Sequence, residues 1–343
     1  MTERRKLVKW LVVLGALHGV VACAGFLAPY DPIEQDRERP YAPPVRLHFR
    51  DTQRRFHIRP FLYPLRVREG SFAQFDEDTA RVTPVRFFVD GSSYRLLGLV
   101  PCRLHLFGAF PARICLLGTD GYGRDQLSRI LYGGQVSLAA GLLGAGTTLL
   151  FGLGIGTAAG YYGGWRDDVL MRLAELFMAL PWLYLLLGLR AFLPLSVRPT
   201  QAFLLIVIVI GLVGWARPAR LIRSVVLSFK ERDFVRAARG FGASDGYILI
   251  RHILPETSSV LLTQAAILVP QYILAEMALS FLGLGVPEPL ASWGNLLANL
   301  RQYSVLMSYW WMYLPAVAIV PFFIGYLGLA SALQEWADSS KWA

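Results

Sequence analysis

Long apolar runs separated by polar stretches set the expected architecture of this chain. Residues 7–27 form the first run, about long enough to cross a hydrocarbon core of roughly 30 Å. The second covers 136–161 and is dense in small residues. Gly141, Gly144, Gly152, Gly156 and Gly160 suit it to close approach by other helices. The third covers 169–193, with a kink expected at Pro181. The fourth, fifth and sixth cover 201–215, 258–285 and 310–333. The pattern predicts an all-α polytopic membrane protein with about six transmembrane helices. Its expected parts are an N-terminal tip and first helix (1–28), an insert with an amphipathic lead-in (29–131), a five-helix core with a loop at 217–257 (132–333), and a tail (334–343).

The polar stretches carry their own patterns. Residues 29–129 are rich in arginine and proline, with no long apolar run. Residues 85–97 predict a β-hairpin turning at Asp90-Gly91, and 45–49 and 55–58 read as further strands. Residues 117–138 read as a glycine-hinged polar turn, with Thr119 or Asp120 and Asp125 as caps and a local Arg-Asp pair. An amphipathic helix then follows, with Leu127, Ile130 and Leu131 laid along the membrane surface. In 233–255, Phe234, Ala237, Ala238 and Phe241 fall at i, i+3, i+4 and i+7, one face of a short helix. Gly240 and Gly242 break it, and Ser244 or Asp245 caps a second helix running to Pro255.

Charge orients the chain. It has 343 residues, 55% of them hydrophobic, and a formal net charge of +10; with a mean hydropathy of +0.43 it is too apolar for an ordinary soluble domain. Basic residues crowd the N-terminus and recur after the fourth run at Arg217, Arg220, Arg223, Lys230, Arg232, Arg236 and Arg239. The positive-inside rule then places both termini and 217–255 in the cytoplasm, and 29–131 outside as an exported β-containing insert. The arginines do not gather on one basic element, so nucleic acid is not an expected partner. Val20-Val21-Ala22-Cys23 has the look of a lipoprotein cleavage box, against which stand the later spans that already hold the chain in the membrane. Three cysteines make no disulfide framework, although Cys102 and Cys115 can pair in an exported loop.

Candidate chemistry is sparse. There is no Gly-Lys-Ser/Thr phosphate loop, no HExxH and no nucleophile elbow. His48, His57 and His105 lack metal-ligand spacing. No catalytic, cofactor or metal site is expected. Glu276 is the one acidic side chain well inside the fifth run, which makes it a candidate for a translocation path or an interface, with Arg190 as a possible partner. Glu175, near one end of the third run, reads as an interface residue.

Residues 233–255 resemble the cytoplasmic coupling loop of permease subunits of binding-protein-dependent ABC importers. Ala237, Ala238, Gly242, Leu254 and Pro255 match its EAA, three residues, Gly, gap, Leu-Pro pattern, and Arg236 stands where the family often has Glu. Two further stretches resemble the dipeptide and oligopeptide branch. One carries Gly118, Thr119, Asp120, Gly123, Arg124, Asp125, Ser128, Arg129, Tyr132 and Gly133. The other carries Ser280, Phe281, Leu282, Gly283, Leu284, Gly285, Val286, Pro289, Ser292, Trp293 and Gly294, read as a re-entrant or interfacial segment at the outer face. Ala330, Ser331, Ala332 and Leu333 depart from the family's usual C-terminal run. The resemblance implies a type I importer permease core in the inner membrane. It implies a homologous permease partner, two ATPase subunits that use ATP and Mg, an extracytoplasmic solute-binding protein, and surrounding lipid. It implies import of peptides or related solutes, with oligosaccharides or nickel chelates as alternatives. The coupling set is then Phe234, Arg236, Ala237, Ala238, Gly240, Phe241, Gly242, Leu254 and Pro255. A polytopic enzyme using the insert would need acid, base and metal ligands converging at one depth, and the sequence offers none.

Overall fold

The computed structural model of the chain describes residues 2–68, 74–192 and 198–340. The chain opens with α1 (Thr2–Ala22) and α2 (Ala24–Leu27). Six strands follow: β1 (His48–Arg50), β2 (Phe56–Leu62), β3 (Leu65–Val67), β4 (Phe75–Glu77), β5 (Thr83–Leu96) and β6 (Val100–Ala109). They form a four-stranded antiparallel sheet in the order β1-β2-β5-β6 and a separate β3-β4 pair. The insert is therefore β-containing, as its patterning indicates. The hairpin is differently placed. Asp90-Gly91 does not reverse the chain; it falls in an irregularity inside β5, which keeps its pairing with β6 on both sides. The reversal comes at Leu97 and Gly98, both at positive φ. Pairing with a long apolar partner strand outweighs the local Asp-Gly turn preference. Gly91 serves close approach instead, since a Cβ there would lie 2.6 Å from the His105 ring. Cys102 and Cys115 are both free thiols. Cys102 is held within β6 opposite Tyr94, and Cys115 is buried in a core with Val45, Leu62, Val85 and Ile114.

The helical part begins with α3 (Gln126–Tyr162), one continuous helix of 37 residues. The expected lead-in at the membrane surface is thus the first turns of this helix, and the boundary at residue 131 falls inside it. Gln126, Ser128, Arg129 and Ile130 are all buried, which a surface-lying amphipathic helix would not allow. Next come α4 (Gly164–Ala179) and α5 (Trp182–Ala191), bent by 93° around Pro181. The third run is a broken pair rather than a kinked helix. Proline lacks the N–H and clashes with the preceding turn, so the ladder restarts after it. Residues 194–197 of the expected outer loop lie outside the described residues. The fourth run is also a pair, α6 (Pro199–Gly214) and α7 (Ala216–Lys230), bent by 47°.

Residues 216–230 therefore do not belong to a loop, contrary to the expected boundary at 217. The helix α7 packs along α3 on a seam of glycines: a Cβ at Gly156 would lie 2.4 Å from the Ala219 carbonyl oxygen, and ones at Gly152 and Gly160 would lie 2.8 and 2.9 Å from Pro218 and Val226. After α7 come the short α8 (Asp233–Gly240) and α9 (Asp245–Ile248). A π-helical turn (Leu249–Ile253) and a 3-10 turn (Leu254–Thr257) carry the chain on into α10 (Ser258–Phe281). Pro255 does not end the second helix of this segment; it sits at the start of the 3-10 turn, where a missing N–H is tolerated. The chain finishes with α11 (Trp293–Ala298), α12 (Tyr303–Ser308) and α13 (Leu314–Ser340), which runs on through the expected tail.

Among the described residues three helical stretches are long and apolar enough to cross a membrane: Gln126–Tyr162, Asp245–Phe281 and Trp310–Ala337. Counting each bent pair as one span raises this to five. The α1 helix, with Arg4, Arg5, Lys6 and Lys9 in its first half, is not among them. The chain divides into two compact units. One comprises Met1–Leu14, Leu138–Leu279 and Phe322–Ala343; the other comprises Gly15–Ser137 and Ser280–Pro321. The first holds the glycine seam, and the second holds the sheet.

The seam generates a prediction. Gly156→Leu should force α3 and α7 apart and lower stability by about 1–3 kcal/mol, the usual result of overpacking. Gly154→Leu, which meets no atom within 4 Å, should change stability little. Thermal unfolding of the detergent-purified variants measures both, and equal effects would count against the seam.

Candidate functional site

Two sets of residues were marked by the sequence, and each is assembled within one unit. The first is the segment from Asp233 to Thr257. Its anchor is Val235, fully buried with Ile222 and Val226 of α7, Tyr161 at the end of α3, and Ile248 and Ile253. Tyr161 donates its hydroxyl hydrogen to Asp245 and accepts one from Arg239 at 3.3 Å. The two short helices are thereby tied to the ends of longer ones. The α8 helix closes in a Schellman motif. Gly242 N–H donates to the Arg239 carbonyl and Ala243 N–H to that of Ala238, both at 3.0 Å, with Gly242 at φ +82°. That left-handed position is why a glycine stands there. Ser244 then caps α9 by accepting from the Tyr247 N–H.

The expected apolar stripe divides in two. Phe234, Ala237 and Phe241 face out, Phe241 with 92% of its surface exposed. Ala238 instead turns inward against the chain's own core, alongside Val235. A helix this short must spend one face on its anchor, and the Val235–Ala238 spacing of three provides it. The outward face is widened by residues the sequence reading missed. The Phe234 and Tyr247 rings flank His252 at 5.8 and 5.7 Å, and Ile250 is 71% exposed. The Tyr-Ile-Leu-Ile run at 247–250, in a stretch otherwise polar, was the available signal. Arg236 reaches Glu231 at 3.2 Å on the surface, and Gly240 and Pro255 are exposed, with Leu254 half-buried. The result is an apolar platform rimmed by Arg232, Arg236 and Arg251.

The second set lies in the unit that contains the sheet. Asp120 accepts from the N–H groups of Tyr122 and Arg124 at 2.8 and 3.0 Å and from Arg124 Nε at 2.7 Å. Arg124 and Arg129 both donate to Glu288, at 2.7 and 2.9 Å. All but Glu288 are buried. Burial works against the charge of Arg124, but Asp120 and Glu288 outweigh it and raise its pKa. Thr119 Oγ1 donates to the Arg39 carbonyl and accepts from Ala42 N–H, while Gly123, at φ +71°, shapes the turn. Asp125 caps α3 through Ser128 N–H and Oγ, at 2.8 and 2.6 Å. Burial pushes the Asp125 carboxyl up to about 6.

Ser292 caps α11 in a capping box with Asn295, and Gly294 is buried beside them. Trp293 is 1% exposed, and its indole N–H donates to the Ile130 carbonyl at 2.9 Å. Within the segment expected to be re-entrant or interfacial, the Trp293 ring is thus a core residue whose polar end is satisfied internally. Glu288 was missed because its role is visible only once Arg124 and Arg129 are seen to converge on it. Glu276 is fully buried in α10, and the Arg190 side chain lies outside the described residues. Among the described residues no group of three His, Cys, Asp or Glu side chains could hold a metal ion.

The family described as binding-protein-dependent transport system inner membrane component matches residues 152–340, more than half of the chain. This chain belongs to that family. A Brucella suis protein named as a peptide permease is 40% identical over 204 residues, covering 59% of this chain and 66% of its own length. The chain thus spans just under two thirds of that relative. The dipeptide transport system permease protein DppC of Alkalihalophilus pseudofirmus is 34% identical over 221 residues, covering 64% of this chain and 70% of its own. A methionine ABC transporter solved in inward-facing conformations aligns with a TM-score of 0.43 and 16% identity over 60% of this chain and 95% of that one, a likeness that carries no argument. For this inner membrane component, the family match includes the platform at 233–257 but neither the sheet nor the cluster at 119–129. Membership in a family of transport components favours transport over the polytopic-enzyme reading.

Two predictions follow from the buried groups. Glu288→Ala leaves the buried Arg124 and Arg129 with Asp120 alone and, since Glu288 is itself partly in solvent, should lower stability by about 1–2 kcal/mol, with Glu288→Gln milder; denaturant melts measure it. Asp125 has a raised pKa, so its favourable contribution is full below the unfolded value near 4 and is lost as pH rises through about 6. Between pH 4 and pH 7 the wild type should lose about 2 kcal/mol relative to Asp125→Asn, measured as the difference between their melting profiles.

Proposed function

We propose that this inner membrane component is a permease subunit of an ATP-driven importer for peptides or related solutes. In this reading it carries a type I core of six spans, α1 included, with both termini cytoplasmic and the sheet exported. A homologous permease completes the path. Two ATPase subunits bind below it and consume ATP and Mg, and an extracytoplasmic binding protein delivers solute above. The names of the Brucella and Alkalihalophilus relatives support peptides as the solute class.

The observation that carries the reading is the platform of Phe234, Ala237, Phe241, Tyr247 and Ile250. It leaves large apolar side chains in the open on a segment that is firmly anchored underneath. Contiguous exposed apolar surface with a polar rim marks a protein contact. An ATPase subunit seated there would push through Val235 and Tyr161 on α7 and α3, so closure of the ATPases would reach the spans as rigid-body motion.

The test separates docking from folding. Phe241→Asp should fold and melt as the wild type does. Co-purification of the ATPase subunits should nevertheless fall at least about tenfold, because the variant puts an unpaired charge in the contact. Ala238→Asp should instead lower the melting temperature of the chain itself, since its side chain enters the chain's own core. Wild-type association by Phe241→Asp would remove the platform as the docking surface.

A further inference from the structure

Two helix breaks open a cavity in the larger helical unit. The 93° bend at Leu180-Pro181 and the 47° bend between Gly214 and Ala216 both line a space of about 270 Å³ that faces α10. Phe177, Trp182 and Leu186 give it an apolar wall, and Gln271 and Tyr272 give it hydrogen-bonding groups. Among the described residues that line it, one carries a formal charge: Arg217.

The depth of this arginine is not what its place in the basic run implies. Tyr272 lies midway along α10 and accepts from Thr148, midway along α3, at 3.1 Å. Both helices belong to stretches able to cross a membrane. Arg217 shares the cavity with Tyr272, so it lies level with the middle of both helices and not beside their ends, its own side chain exposed. The following residues fix that depth, because Pro218 and Ala219 pack on Gly152 and Gly156 of α3. Further along the same helix Arg223 is paired with Asp167. Arg217 instead meets a cavity without a carboxylate in its lining. A cation at mid-span is costly, and such residues mark solute paths by default.

We infer that this cavity is a solute subsite in which Arg217 receives a carboxylate of the transported molecule. The inference rests on the permease reading and adds a recognition chemistry to it. A guanidinium presents two parallel N–H donors that match a carboxylate, and Phe177 and Trp182 wall one side of that contact. The volume falls just below the roughly 300–1,000 Å³ of sites that enclose a whole drug-sized ligand, so the cavity takes one end of a peptide. Gln271 and Tyr272 are placed for its amide groups, and the aromatic wall for a side chain.

The experiment uses the assembled complex, purified in detergent without the binding protein, so that only the membrane subunits select. Equilibrium dialysis compares radiolabelled dialanine with dialanine amide, which differ in the terminal carboxylate alone. Dialanine should bind at least about tenfold tighter, the size expected of a charge-assisted contact. Arg217→Gln should erase that preference, and Arg217→Lys should restore part of it. Equal binding of the two peptides by the wild type, binding of neither, or an unchanged preference in Arg217→Gln each overturns the inference. Loss of assembly in Arg217→Gln, with assembly rescued by Lys, would assign the charge to a subunit contact and overturn it too. A complex that assembles and couples ATP hydrolysis while showing any of these results leaves the permease reading standing. Failure of the wild-type chain to recruit ATPase subunits would strike that reading instead.

Discussion

The close approach of α3 and α7 is the constraint on which the helical unit depends. Gly156 brings the backbone of α3 to within a side chain's thickness of the Ala219 carbonyl, and Gly152 and Gly160 extend the seam a turn or two either way. Between membrane helices there is no hydrophobic effect to draw them together, so dispersion across such notches must do it. Everything below the seam is then placed by rigid geometry. Ile222 and Val226 of α7 make the floor on which Val235 sits, and Tyr161 at the end of α3 holds Asp245 and Arg239. The outward platform is the far side of that anchor. At the other end of α7 the same seam keeps Ala216 and Arg217 where the break after Gly214 opens the cavity. Platform and cavity are thus two ends of one packed element.

The buried charges solve a different problem. Two stretches far apart in sequence, 117–129 and 286–295, each carry a polar motif; read separately, the first looked like local caps and the second like a re-entrant or interfacial segment. The structure joins them: Arg124 and Arg129 come from one and Glu288 from the other, with Asp120 completing a neutral set of four. An ion pair taken out of water repays little in net stability, but removing one member leaves the rest stranded. Such a cluster therefore favours one register of the two stretches over its neighbours. Trp293 adds to this by donating its indole N–H to the Ile130 carbonyl at 2.9 Å.

Legibility from sequence followed the range of the interactions involved. The Gly242 break, the Ser244 cap and the Asp125 cap depend on residues within a turn of each other, and each is where local chemistry places it. The three long apolar helices were equally plain from composition. What was not legible depended on distant partners. The Asp90-Gly91 dipeptide looked like a turn because β6, which keeps β5 extended past it, lies beyond the window of the pattern. Ala238 looked outward because nothing local says that Val235 is the anchor. Pro181 was read as a kink, whereas the 93° bend depends on how the two halves pack afterwards.

The basic run after the fourth apolar stretch shows the same lesson in its sharpest form. Counted together, its arginines orient the chain, and the positive-inside rule uses nothing more. Taken singly, they have separate surroundings. Arg223 is bound to Asp167, Arg236 to the exposed Glu231, and Arg239 to the Tyr161 hydroxyl that also serves Asp245. Arg217 differs from these because the helix bends just before it, so a residue that reads as the first of a loop stands in a helix and, though exposed, lines the cavity that the break opens. Hydropathy places the end of a span where apolar residues stop. Packing places it where the helix leaves its neighbours, here at Lys230, about four turns later at 1.5 Å per residue. Of the charges between those two boundaries, Arg217 and Arg220 are exposed and Arg223 is half-buried against Asp167. They stand along a packed helix instead of in a loop, and the geometry of the break decides which of them borders the cavity.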